Sequence, residues 1–104
     1  MSTVPPAFFA ELEARVHAVD SLLCVGLDPH ASELGASPSA AAAEAFCTRL
    51  IDATIGSAAA YKPNAAFFEV YGDDGAAALR RVRAVRACVR ACIACVHVHA
   101  CVWG

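Results

Sequence analysis

Two apolar runs, each ending on a charged residue and then a proline, constrain this chain more than any other feature. The first, Ser21 to Pro29, reads S-L-L-C-V-G-L-D-P and presents Asp28; the second, Ala58 to Pro63, reads A-A-A-Y-K-P and presents Lys62, the only lysine in the chain. An apolar run that stops on a charge and a proline reads as a buried strand handing a side chain to a loop, because proline has no N–H with which to continue a ladder. Asp28 and Lys62 lie 34 positions apart, about one βαβ repeat, so the two strands are expected to run parallel with a right-handed crossover. Neighbouring strands sit about 4.8 Å apart, and both charged tips then emerge at the C-terminal edge, where α/β enzymes keep their chemistry. An ordinary ion pair closing the end of a sheet would use the same two residues, and geometry alone leaves both readings open.

The rest of the first 80 residues supplies helices for these strands. Pro5 and Pro6 precede an amphipathic segment with Phe8, Phe9, Leu12, Val16 and Val19 on one helical face and Glu11, Glu13, Arg15 and His17 largely off it; His17 reads as a solvated helix residue. Ser21 to Leu27 is apolar on both faces, which predicts a central strand covered by helices. Asp28-Pro29-His30 opens a loop, and Ser37 with Pro38 predicts an N-cap and first helical residue, followed by an inner face of Ala43, Phe46, Cys47, Leu50 and Thr54 that ends near Gly56. Ala65 to Tyr71 predicts a short helical turn stopped by Gly72, with Phe67 and Phe68 assigned to packing. Asp73 or Asp74 is expected to cap a further helix from about Gly75.

Length and charge set outer limits. At 104 residues the chain is one domain at most, far short of the roughly 250 residues of a closed (β/α)8 barrel. A composition 59% hydrophobic and 17% charged excludes disorder, and its apolar runs are too interrupted for a membrane span of about 20 residues. No basic stretch precedes the first apolar residues, so a secretory signal is not expected and a reducing, cytoplasmic location follows. The six cysteines then read as free thiols or metal ligands rather than disulfides.

The charges divide the chain in two. All ten acids lie in residues 1–79, whereas residues 80–104 hold five arginines and no acid. From Arg80 to Trp103 the sequence is almost confined to Arg, Ala, Val, Cys and His, which predicts a body, 1–80, and a divergent tail, 81–104. Three readings of the tail compete. Cys88, Cys92, Cys95, His97, His99 and Cys101 could ligate zinc, although C-x3-C-x2-C-x-H-x-H-x-C lacks the paired C-x2-C knuckles of zinc modules. The arginines Arg80, Arg81, Arg83, Arg86 and Arg90 could form a basic face, but no nucleic-acid recognition motif accompanies them, and a solvated helical face is the simpler account. The skewed alphabet favours a third reading, a shifted reading frame or altered gene end.

With L-L-C-V-G-L-D-P at 22–29, A-F-C-x-R-L-I-D-A-T at 45–54 and Y-K-P-N-A-A-F-F-E at 61–69, the chain resembles the orotidine 5'-phosphate decarboxylase family, and within it the second bacterial subfamily. The similarity covers about residues 7–80 and rests on several motifs in the right order and spacing. It implies an α/β fold, the N-terminal two to three βα units of a (β/α)8 TIM barrel, here incomplete. The resemblance also implies a homodimer that converts orotidine 5'-monophosphate to uridine 5'-monophosphate and CO2 with no metal or organic cofactor. Asp28 and Lys62 match residues that hold the substrate ribose. The proton donor of the family is the lysine of an Asp-x-Lys-x-x-Asp motif at the end of strand three, flanked by carboxylates that preorganise the charge. Ala91 to Val102 stands where that strand is expected and contains neither lysine nor acid. The chain is therefore expected to lack a catalytic residue and turnover of its own, leaving a nucleotide-binding or dimerising fragment, or a thiol-rich zinc binder, as alternative roles.

Overall fold

The computed structural model describes residues 7–84. Their order is helix α1 (Phe8–Val19), strand β1 (Leu23–Leu27), a 3-10 turn (Ala31–Glu33), helix α2 (Ala40–Thr54), strand β2 (Ala58–Pro63), a short helix α3 (Ala66–Glu69) and helix α4 (Gly72–Ala84). Strands β1 and β2 pair in parallel, as the spacing predicts, in a two-stranded sheet among the described residues. Apart from an irregularity between Leu23 and Cys24, the register is continuous, with Cys24 opposite Ala60, Gly26 opposite Lys62 and Leu27 opposite Pro63.

One core lies between the sheet and α2, α3 and α4. Leu27, Ala43, Cys47, Ile51, Tyr61, Phe68, Ala78 and Val82 are completely buried in it. The buried positions of α2, namely Ala40, Ala43, Cys47 and Ile51, recur every three or four residues, the spacing that puts side chains on one helical stripe. Tyr61 carries its hydroxyl into this apolar layer because partners await it: the Ile51 carbonyl accepts from it at 3.2 Å, and the Thr54 hydroxyl lies at 2.8 Å.

Several local expectations shift. Helix α2 starts two residues later than the Ser37-Pro38 pair suggests, because Ser39 is the residue whose hydroxyl accepts the Ala42 N–H, at 3.1 Å. Asp73 and Asp74 are not caps but lie in the first turn of α4, where their charges favour the positive end of the helix. Phe9 is 67% exposed, since it sits about 100° around α1 from the buried Phe8 and meets it only edge-on, at 5.1 Å between ring centroids. Strand β1 is shorter than the apolar run, because the Ser21 hydroxyl accepts the Leu23 N–H before the ladder begins.

β1 also departs from the expectation of a strand covered on both faces. Leu22 is 85% exposed and Leu23 48%, and among the described residues the outer edge of β1 has no partner strand. β2 is better covered: its first four residues are buried, and α1 packs against it. Helix α4 runs through positions 80 and 81 without a break. Val82 is buried in the core, and the Arg81 guanidinium pairs with Glu44 of α2 at 2.8 Å.

Helix α1 is anchored by a residue the amphipathic pattern assigns to its wet face. The Arg15 guanidinium donates to the Ala58 carbonyl at 3.2 Å and to the Ile55 carbonyl, spanning the end of α2 and the start of β2. The guanidinium thus ties α1 to the junction between α2 and β2. Arg15→Met, which keeps much of the aliphatic stem, is expected to lower stability by about 1.5–3 kcal/mol, the range for a hydrogen bond to a charged group. Urea unfolding followed by circular dichroism measures it.

Candidate functional site

The parallel register decides where the two charged tips go. Lys62 is paired with Gly26, and residues paired across a sheet project from the same face. Asp28 lies two residues beyond Gly26, and its carboxylate folds back over that glycine: a Cβ on Gly26 would stand 3.2 Å from Asp28 Oδ2. Asp28 and Lys62 thus occupy one face at the C-terminal edge of the sheet. Gly26 is the residue whose missing side chain leaves room for the carboxylate, at the position paired with Lys62.

The two residues are held differently. Asp28 is half-buried between Leu27 and Pro29, both without exposed surface, and its carbonyl accepts the His30 N–H at 2.8 Å. Lys62 is exposed although its strand neighbours Tyr61 and Pro63 are buried. No ion pair joins the two among the described residues, so the sheet-closing salt bridge that the sequence also allowed does not form. An acid and a base brought to one rim without neutralising each other can meet a polar ligand, the carboxylate accepting from hydroxyls and the ammonium donating.

The loops behind the tips are pinned. The Asn64 N–H donates to the Leu27 carbonyl at 3.2 Å, carrying the ladder one residue past Pro63, and the Asn64 side-chain oxygen accepts the Ala66 N–H at 3.2 Å. Across the rim the His30 and Phe67 rings meet edge-to-face, 4.4 Å between centroids at 68°. Phe68 fulfils the packing expectation completely, whereas Phe67 is half-buried and faces the loop of β1.

Beneath the rim, Cys47 of α2 is fully buried, and its thiol is pushed up to about 12, first by burial and then by the negative charge of Asp28. Its stabilising contribution is complete below the ordinary value of 9.0 and is lost as pH rises from there towards about 12. Cys24, by contrast, is exposed on β1. At pH 8 an alkylating reagent is expected to modify Cys24 readily and Cys47 only on unfolding. Peptide mapping by mass spectrometry reads this out, and equal rates at the two thiols would show that Asp28 and the α2 face are not packed together.

Other candidates lie elsewhere. His17 is exposed and 3.9 Å from Glu13 Oε1 on its own helix, as a solvated residue should be. No cluster of three or more potential metal ligands occurs among the described residues, and Cys88, Cys92, Cys95, His97, His99 and Cys101 lie outside them. Arg86 and Arg90 of the basic set also lie outside, while Arg81 is engaged with Glu44. No helix among the described residues is long and apolar enough to cross a membrane. The sequence pattern missed Arg15, His30 and the proximity of Cys47 to Asp28. A glycine inside an otherwise apolar strand, Gly26, was the available signal for a close approach at the rim.

Comparison with known proteins agrees with this geometry. No family model matches the chain. The chain is 46% identical over 70 residues to orotidine 5'-phosphate decarboxylase of Leptospira interrogans, a match covering 65% of this chain and 26% of that protein. Among solved structures, one from Leishmania donovani, OMP decarboxylase, superposes with a TM-score of 0.66 at 53% identity, covering 79% of this chain and 30% of that one. A Toxoplasma gondii structure named for orotidine-monophosphate-decarboxylase gives a TM-score of 0.74 at 48% identity, covering 77% of this chain and 28% of the other. The chain spans about a quarter of the length of the curated relatives it matches. The parallel strands and helices superpose on those decarboxylase structures, and the chain is similar to a portion of the orotidine 5'-phosphate decarboxylases, an incomplete piece of their (β/α)8 barrel.

Proposed function

We propose that this chain serves the carboxy-lyase reaction of its relatives, orotidine 5'-monophosphate to uridine 5'-monophosphate and CO2 in pyrimidine synthesis, as the part that holds the substrate ribose. Asp28 accepts hydrogen bonds from ribose hydroxyls and Lys62 donates to them. One observation carries this: the register that sets Lys62 against Gly26, with the Asp28 carboxylate lying over that glycine, leaves an acid and a base that form no ion pair among the described residues on one face. Both are positioning groups that bind the nucleotide; neither moves the proton that replaces CO2. The 104 residues contain no Asp-x-Lys-x-x-Asp, and Lys62 is their only lysine, so the chain by itself binds nucleotide without turning it over.

The test mixes the purified chain with orotidine 5'-monophosphate, following binding by calorimetry and uridine 5'-monophosphate by chromatography. Binding without product is expected. Product formation abolished in Lys62→Ala would show that the chain is an enzyme after all, and absence of any nucleotide binding would remove the ribose site.

The resemblance supports the remaining particulars. The working assembly is a homodimer in the cytoplasm, with no nucleic-acid partner. Residues 81–104 form a compositionally separate tail whose Arg, Ala, Val, Cys and His alphabet comes from a changed reading frame. Translating the encoding DNA beyond codon 80 in its other frames checks this: an Asp-x-Lys-x-x-Asp stretch is expected in one of them.

A further inference from the structure

We infer that the His30 and Phe67 rings form a clasp between the loop after β1 and the start of α3 and set the distance between Asp28 and Lys62, so that both are positioning residues for the nucleotide. The inference rests on the ribose-binding role proposed above and assigns it two residues that touch no reacting atom.

Each ring is tied by its own backbone to the strand end that carries a charged residue. On the β1 side, the His30 N–H donates to the Asp28 carbonyl at 2.8 Å, and the His30 carbonyl accepts the Glu33 N–H at 2.8 Å. The imidazole is thereby fixed two residues from the acid. On the β2 side, Asn64 follows Lys62-Pro63, and its carbonyl accepts the Phe67 N–H at 3.2 Å. The rings then meet at 4.4 Å and 68°, the edge-to-face arrangement that aromatic quadrupoles favour.

Core packing does not require this contact. Phe68 fills the interior with no exposed surface, while Phe67 is half-buried and His30 exposed at the rim. Strand pairing alone fixes the backbones up to Leu27 and Asn64 but not the loop that holds the Asp28 carboxylate against Gly26. Displacing one of the two, Asp28 or Lys62, loses a hydrogen bond to a charged group, worth about 10- to 150-fold in affinity.

The test uses the full chain with uridine 5'-monophosphate as ligand, in His30→Ala, Phe67→Ala, the double variant and His30→Phe. Each alanine variant is expected to weaken binding at least about tenfold with little change in melting temperature, and the double variant to bind no more weakly than either single one. His30→Phe restores affinity, because the clasp needs a ring and not an imidazole. Losses that multiply in the double variant, or failure of His30→Phe to rescue, would make the imidazole a direct ligand contact and overturn the clasp. Affinity that falls only in step with melting temperature would reduce the pair to packing. If the native chain binds no nucleotide, the ribose reading fails, and amide exchange judges the clasp alone. His30→Ala should then accelerate exchange at Ala66 and Phe67, at the start of α3 across the rim, and unchanged rates there would end the proposal.

Discussion

Gly75→Ala is expected to destabilise the protein by about 3 kcal/mol, although helix propensity by itself favours alanine over glycine by about 1 kcal/mol. The sign is decided by one close approach. A Cβ at position 75 would stand 1.7 Å from the Phe68 carbonyl oxygen and 2.7 Å from its carbon. These are backbone atoms and cannot rotate away. Gly75 is buried in the first turns of α4, where it passes against the end of α3. Admitting a methyl group means moving α3, and with it the completely buried Phe68. For a domain whose whole stability is about 5–15 kcal/mol, that loss raises the unfolded-to-folded ratio about 150-fold. Ala76→Gly, one position on and exposed, is the control and should cost about 1 kcal/mol from propensity alone. Urea denaturation of the pair settles it, and a Gly75→Ala protein more stable than the native chain would mean that α3 and α4 do not pack as described.

The second large effect concerns binding rather than stability. Lys62→Ala and Asp28→Asn are each expected to weaken uridine 5'-monophosphate binding by about 10- to 150-fold, the equivalent of about 1.5–3 kcal/mol for a hydrogen bond to a charged group. Lys62 is exposed and forms no ion pair among the described residues, so its removal should leave the melting temperature within about 2 °C of the native value. That separation of affinity from stability is the diagnostic. Were the two residues an ordinary structural pair, stability would fall and nucleotide affinity would stay unchanged. The double variant tells whether the two act on one ligand: losses smaller than the sum of the singles mark a shared ribose.

Much of this arrangement was legible in the sequence, and the reasons are local. The runs ending at Asp28-Pro29 and Lys62-Pro63 fixed two strand ends, and their spacing fixed a parallel pair, because a connection of that length must be a crossover. Pairing of Lys62 with Gly26 was not legible, since register depends on the irregularity between Leu23 and Cys24, which no residue there announces. The start of α2 was missed because Ser37 and Ser39 are equally good caps, and the choice between them is made by which stripe of the helix meets the sheet. Arg15 was assigned to water for want of any sequence sign that two carbonyls some 40 residues away needed a donor. Exposure of β1 escaped the pattern for a related reason. An apolar run reports what a strand is suited to touch, and the neighbours actually present decide what it does touch.

That uncovered flank bears on how long the polypeptide survives in a cell. Leu22 lies in the open just before β1 and Leu23 and Cys24 on it, in a run from Ser21 to Leu27 that carries no charge and no proline, the residues by which proteins ordinarily guard such margins. Holdase chaperones and quality-control proteases select for sticky, unguarded stretches of this kind, so the rate of capture and degradation sets the standing amount of the protein.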